Sequence, residues 1–161
     1  MKNIFPFLYQ ITLSLWLGGM VAIGFVATPP LFKNLGIDKA AEVTGLIFPI
    51  FFPYCLVLTI LARFLFGLAY RDVAVKSRKW ILGLLVGSIV LAAVQHFFIF
   101  PKAEALRDQV GVFADTLKTD PVRKQFGMYH GISNGVNLLL MLSATGLIYL
   151  TPRKEEEEEE D

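Results

Sequence analysis

Residues 43–62 read VTGLIFPIFFPYCLVLTILA and contain no Asp, Glu, Lys or Arg. A helix needs about 20 consecutive apolar residues to cross the hydrocarbon of a bilayer, and this run supplies them. Glu42 and Arg63 stand at its two ends, where a charged side chain can reach the aqueous edge. Three further runs share the property. The same four residue types are missing between Lys2 and Lys33, from Trp80 to Pro101, and from Gln125 to Pro152. The whole chain of 161 residues is 55% hydrophobic with a mean hydropathy of +0.57. Soluble domains average about 45–50% apolar even with Gly counted. These runs predict an all-α fold, an integral membrane four-helix bundle. The bundle is one domain over residues 1–152, with helices at about 4–28, 40–70, 79–100 and 121–150.

Within the second helix, Pro49 and Pro53 remove two backbone donors and leave the carbonyls of Gly45 and Pro49 without their usual partners. Lipid cannot satisfy them, so a kink at Pro49/Pro53, packed against the bundle, is expected. Asp38 in IDKAAEV is placed to cap that helix. Pro29-Pro30 is expected to end the first helix, which is read as retained: its apolar stretch is longer than the roughly 7–15 residues of a signal peptide. Pro101 is expected to break or kink the third. Beyond it, Leu106, Val110 and Phe113 form a weak stripe of the kind seen on short surface helices. Asp120-Pro121 reads as cap and first turn of the last helix. The tail 153–161, RKEEEEEED, is acidic, low in complexity and expected to be disordered.

Small residues recur four apart at Ser14, Gly18 and Ala22, at Gly83 and Gly87, and at Gly127, Gly131 and Gly135. Such faces let helices approach closely, within one chain or between copies. The partners implied are therefore the lipid bilayer and, through these faces, a second copy or another membrane protein. A net charge of +1 offers no basic field for nucleic acid. The single cysteine, Cys55, excludes an intrachain disulfide and a Cys-based zinc site. Lys and Arg balance between the two sides of the membrane. The dense loop with Arg71, Lys76, Arg78 and Lys79 decides the orientation and places both termini in the cytoplasm, the membrane being the inner one in a bacterium.

Function is sought where polarity enters an apolar run. Residues 126–137, FGMYHGISNGVN, carry Tyr129, His130, Ser133, Asn134 and Asn137. His130, Asn134 and Asn137 fall on one helical face, and polar groups at membrane depth turn toward a bundle interior. Hydrogen-bonding between helices is one use of the two asparagines, and a substrate site is the other. His96, near the end of the third helix, can share a level with His130. That pair would suit haem or copper, with Met20 or Met128 assisting. Imidazoles hydrogen-bonded to neighbouring helices are the structural alternative. No paired carboxylates, phosphate-cradling loop or Ser–His–Asp set accompanies them, so hydrolytic catalysis has no support.

FGMYHGISNGVN resembles the motif that opens the last helix of the transmembrane protein 205-like family, small four-helix membrane proteins to which no activity is attached. WLGGMVAIGFVATPPLF (16–32), GLIFPIFFPY (45–54) and IFPKAEALRDQ (99–109) are similar to other recurring stretches of that family, and the likeness spans residues 5–150. It implies that Tyr129, His130, Gly131, Ser133 and Asn137 hold the motif positions and leaves His96 outside the pattern. A shorter likeness, in WLGG and a later His, is to copper-resistance D-type proteins and haem-binding membrane protoporphyrinogen oxidases. The expectation is a non-enzymatic membrane protein with a polar centre on its last helix, acting through helix packing, partner binding or passage of a small solute. The alternative is a haem- or copper-binding redox or transfer protein using His130 and His96.

Overall fold

The computed structural model describes residues 4–71 and 77–151. The acidic tail 153–161 lies outside them, as do Lys2, Lys76, Arg153 and Lys154 of the charge argument for orientation. The described residues are helical, with no strand among them. Helix α1 spans Phe5–Val21 and passes through a π-helical turn, Ala22–Ala27, into α2, Thr28–Ala69. Helix α3, Arg78–Val94, runs through a second π-helical turn, Gln95–Ile99, into α4, Phe100–Val110. Helix α5 is Pro121–Leu150. Among the described residues, three helical stretches are long and apolar enough to cross a membrane: Phe5–Ala69, Arg78–Val110 and Pro121–Leu150.

The first stretch has 65 residues. Straight, it would extend roughly 100 Å, about three times the hydrocarbon thickness. It reverses instead at Gly36, with φ 75° and ψ 173°, a region open in practice only to glycine. The two arms then run back along each other. Tyr9 meets Phe66 and Tyr70, with ring centroids 5.7 and 6.0 Å apart, and the Tyr54 hydroxyl donates to the Leu15 carbonyl at 2.9 Å. Pro49 and Pro53 lie inside α2, where the residue with non-helical backbone angles is Gly36.

The helix does not stop at Pro29-Pro30, contrary to expectation. A proline ring collides with the carbonyl four residues back, here those of Phe25 and Val26, and both sit in the π-helical turn. That wider turn holds an extra residue and makes i→i+5 bonds. Thr28 completes it, since its backbone N–H and its Oγ1 (2.7 Å) both donate to the Ile23 carbonyl. The same device carries the chain past Pro101: Phe97 lies within Gln95–Ile99, and the Phe100 N–H reaches the Gln95 carbonyl. The expected break there is absent, and the third helix extends to Val110.

The core is built at helical spacing from Tyr9, Leu13, Trp16 and Met20 of α1 and Ile81, Leu85 and Ala92 of α3. Helix α2 contributes a longer set centred on Phe52, Cys55, Leu58, Ala62 and Phe66. In α5 the buried residues are Leu140, Ala144 and Leu147, all in its second half. Outside lies an apolar coat, with Leu46, Ile50 and Phe98 each more than 70% exposed. The small-residue faces lie outside as well: Gly18, Gly83, Gly87, Gly127, Gly131 and Gly135 each face open space. They do not line the interior of this chain, because the larger residues between them do.

The connection after Pro101 is not a separate surface helix. Leu106 and Phe113 are buried, and the segment is tied down from two sides. The Asp38 carboxylate accepts from the backbone N–H of Phe113 at 2.6 Å and of Ala114 at 3.2 Å, rather than capping its own helix. The Arg123 guanidinium donates to the carbonyls of Phe113 (2.7 Å) and Thr116.

Candidate functional site

Helix α5 starts where Asp120 Oδ1 accepts from the Arg123 N–H at 2.9 Å, with Pro121 in the first turn. From there to Leu139 no α5 residue is buried. The first half of α5 therefore stands away from the core, and the space it leaves is a cavity of about 640 Å³. The π-helical turn Ala22–Ala27, the first half of α2, α4 and Phe113 close its other sides. This volume falls within the usual range of small-molecule sites, about 300–1,000 Å³.

His130, Asn134 and Asn137 line the cavity together. Their side chains make no hydrogen bond to any other described residue, although the His130 ring stacks on Phe126 at 5.8 Å and 19°. Phe126 leans in turn on Phe113, 5.0 Å away. Thr28 and Thr44 add hydroxyls whose protons are committed to the carbonyls of Ile23 and Ala40. The free polar groups of the wall thus belong to α5.

One ion pair borders the cavity. Arg107 Nη1 lies 2.9 Å from Glu104 Oε1, and Nη2 lies 3.2 Å from Asp108 Oδ1. The guanidinium also reaches the Ala41 carbonyl at 3.5 Å, the outer limit of a hydrogen bond. It lies against α2 at Gly45, where a Cβ would occupy the place of its Nη1. Glycine at 45 is therefore what admits Arg107 to this wall.

Other expected residues fall elsewhere. Ser133 accepts from Gln95 Nε2 at 2.5 Å and lines a smaller pocket of about 50 Å³ beyond His130, Asn134 and Asn137. That Gln95–Ser133 bond is the cross-link between helices that the two asparagines were candidates to make. Tyr129 lines neither space. His96 also lines neither; its ring meets Phe97 edge-on at 4.6 Å, and its Nδ1 is buried without a partner. Met20 lines the cavity and Met128 does not. His130 and His96 are thus not gathered into one pocket, and among the described residues no three His, Cys, Asp or Glu cluster as a metal site.

Glu104, Arg107, Phe113 and Gly45 were not singled out from the sequence as site residues. A spacing of three between Glu104 and Arg107, soon after an apolar run, is the signal that would have found them, once the helix is known to pass Pro101.

The family described as a domain of unknown function (DUF4149) matches residues 11–111. That stretch includes every cavity wall except Phe113 and α5. A protein of Aquifex aeolicus strain VF5, described as uncharacterized, is 30% identical over 138 residues, covering 86% of this chain and 89% of its own length. No solved structure matches the chain.

Proposed function

The chain belongs to the DUF4149 family, and from that premise we propose that it is a non-enzymatic integral membrane protein that takes a small molecule into its interhelical cavity. One observation carries the reading: unpaired polar groups of His130, Asn134 and Asn137 face a cavity of about 640 Å³ within a helix apolar enough to cross a bilayer. Polar groups in hydrocarbon need a partner, and those with none in the chain are matched by water or a ligand. In this reading the two arms of Phe5–Ala69, Arg78–Val110 and α5 make four crossings, with both termini cytoplasmic and a bend at Pro49/Pro53. The motif 126–137 supports grouping the chain with transmembrane protein 205-like proteins. The open glycine faces leave room for a second copy or another membrane protein.

The test replaces Cys55 with Ala and introduces Ala41→Cys, a cavity position away from the polar set. N-ethylmaleimide should label this variant in native membranes, and Asn137→Trp, which fills the space, should slow the labelling. Leu117→Cys, in an exposed segment, is the control. If Ala41→Cys reacts no faster than buried Cys55 does in the natural chain, while Leu117→Cys reacts freely, the cavity is not accessible and the reading fails. A Soret band or stoichiometric copper in the purified protein would instead restore the haem or copper alternative.

A further inference from the structure

We infer that the ligand is an uncharged amphiphile drawn sideways from the bilayer, its hydrogen-bonding head on His130, Asn134 and Asn137 and its apolar body leaving between Phe25 and Leu138. The inference rests on the proposed role of the cavity and adds the chemical class of its occupant.

Three observations converge on it. The first is the opening. Phe25 and Leu138 line the cavity and are 63% and 53% exposed, so neither is sealed in by the rest of the chain. Leu138 is twelve residues past Phe126, about 18 Å along the helix, so the gap beside it opens into the apolar coat. A solute dissolved in lipid reaches such a gap directly, whereas a water-borne one would have to cross hydrocarbon first.

The second is charge. Glu104 and Arg107 are the acidic and basic residues of the lining, and they are paired with each other at 2.9 Å. Arg107 is further engaged by Asp108, so the wall has no spare cation for a carboxylate or phosphate head. Glu104 is likewise paired, so an ammonium head would have to compete with the Arg107 guanidinium for it. A charged head would have to break this pair and would leave one member uncompensated.

The third is the hydrogen-bonding inventory. Two carboxamides each present two N–H donors and a carbonyl, and the imidazole adds a nitrogen donor or acceptor. They lie on one face of α5, opposite an aromatic wall that includes Phe48 and Phe51. Neutral carbonyl, hydroxyl and ester oxygens suit this set. A quinone ring and an acylglycerol head both carry such oxygens on an apolar body.

The experiment uses the full chain with Cys55→Ala and Ala41→Cys, reconstituted in nanodiscs, and reads protection from N-ethylmaleimide. The probes are a fully substituted decyl benzoquinone, 1-decanoylglycerol, decanoate and decyltrimethylammonium. At a concentration about ten times its Kd, an occupant should slow labelling about tenfold. The expected result is protection by the quinone or the acylglycerol and none by the two ions, with the arm that protects identifying the head. Adding Asn134→Leu and Asn137→Leu should abolish protection while labelling continues. Equal protection by either ion overturns the inference, and that comparison does not depend on how the double variant folds. Labelling that no probe slows overturns it too, while leaving the accessible cavity standing. A complete lack of labelling would remove the cavity reading and this inference together.

Discussion

The effect of replacing Gly45 with Ala should depend on the residue at 107. A Cβ at position 45 overlaps the Arg107 guanidinium, and overpacking of this kind costs about 1–3 kcal/mol. Alanine in a helix gains about 1 kcal/mol over glycine. Arg107 is a long side chain whose far end can retreat, which puts the collision at about 1 kcal/mol, the low end of that range, and leaves the net effect near zero. In an Arg107→Ala background the collision disappears and the helical gain remains, so Gly45→Ala should stabilise by about 1 kcal/mol. The coupling is then about 1 kcal/mol, above the roughly 0.3–0.5 kcal/mol scatter of independent sites. Reversible unfolding in mixed micelles of the four proteins of this cycle measures it. An effect of the same sign and size in both backgrounds would show that Arg107 does not lie against α2, and the cavity border would have to be redrawn.

Four further substitutions probe the frame that holds the cavity open. Gly36→Ala forces a side chain into φ 75°, ψ 173° and should cost about 1–3 kcal/mol in the same unfolding assay; a neutral result would mean the reversal lies elsewhere. Asp38→Ala removes the carboxylate from the Phe113 and Ala114 amides and should cost about 1.5–3 kcal/mol. Hydrogen exchange should accelerate at those two amides first, and unchanged exchange there would refute the clasp. Ser133→Ala strands the buried Gln95 amide and should cost about 1 kcal/mol, whereas Gln95→Leu removes donor and unpartnered Oε1 together and should be nearly neutral. Equal losses in the two would refute that pairing.

The membrane class was readable because it depends on composition along the chain. Runs such as 43–62 are apolar whatever they pack against, and their length matches the thickness of a bilayer. The cap at Asp120 was readable for a similar reason: it involves neighbours in sequence, and the Arg123 amide is three residues away. The face formed by His130, Asn134 and Asn137 follows from the helical repeat alone. What that face meets was not readable. The asparagines were candidates for bonds between helices, yet Gln95 and Ser133 make that bond, and the asparagines line the cavity.

The prolines show the same limit. Pro29 and Pro30 were read as a stop, and Pro101 as a break or kink, because a regular α-helix cannot hold them. Their cost was absorbed upstream, in π-helical turns where Phe25, Val26 and Phe97 give way and Thr28 bonds back to Ile23. Nothing in the local residue types distinguishes a proline that ends a helix from one preceded by a turn wide enough to pass it. That difference then moved Glu104 and Arg107 from a supposed surface helix to the cavity border. The glycines at 127, 131 and 135 have the spacing of a packing face, but spacing cannot say whether a neighbour is present, and among the described residues none is.

From its sequence alone, then, this protein has its helical class, its apolar lengths and the residues that share a face, since each depends on one segment and its solvent. The reversal at Gly36, the passage through the prolines, the Asp38 clasp and the cavity itself were decided only in three dimensions. Each depends on how much space a distant segment leaves, and that follows from the packing of the whole set of helices.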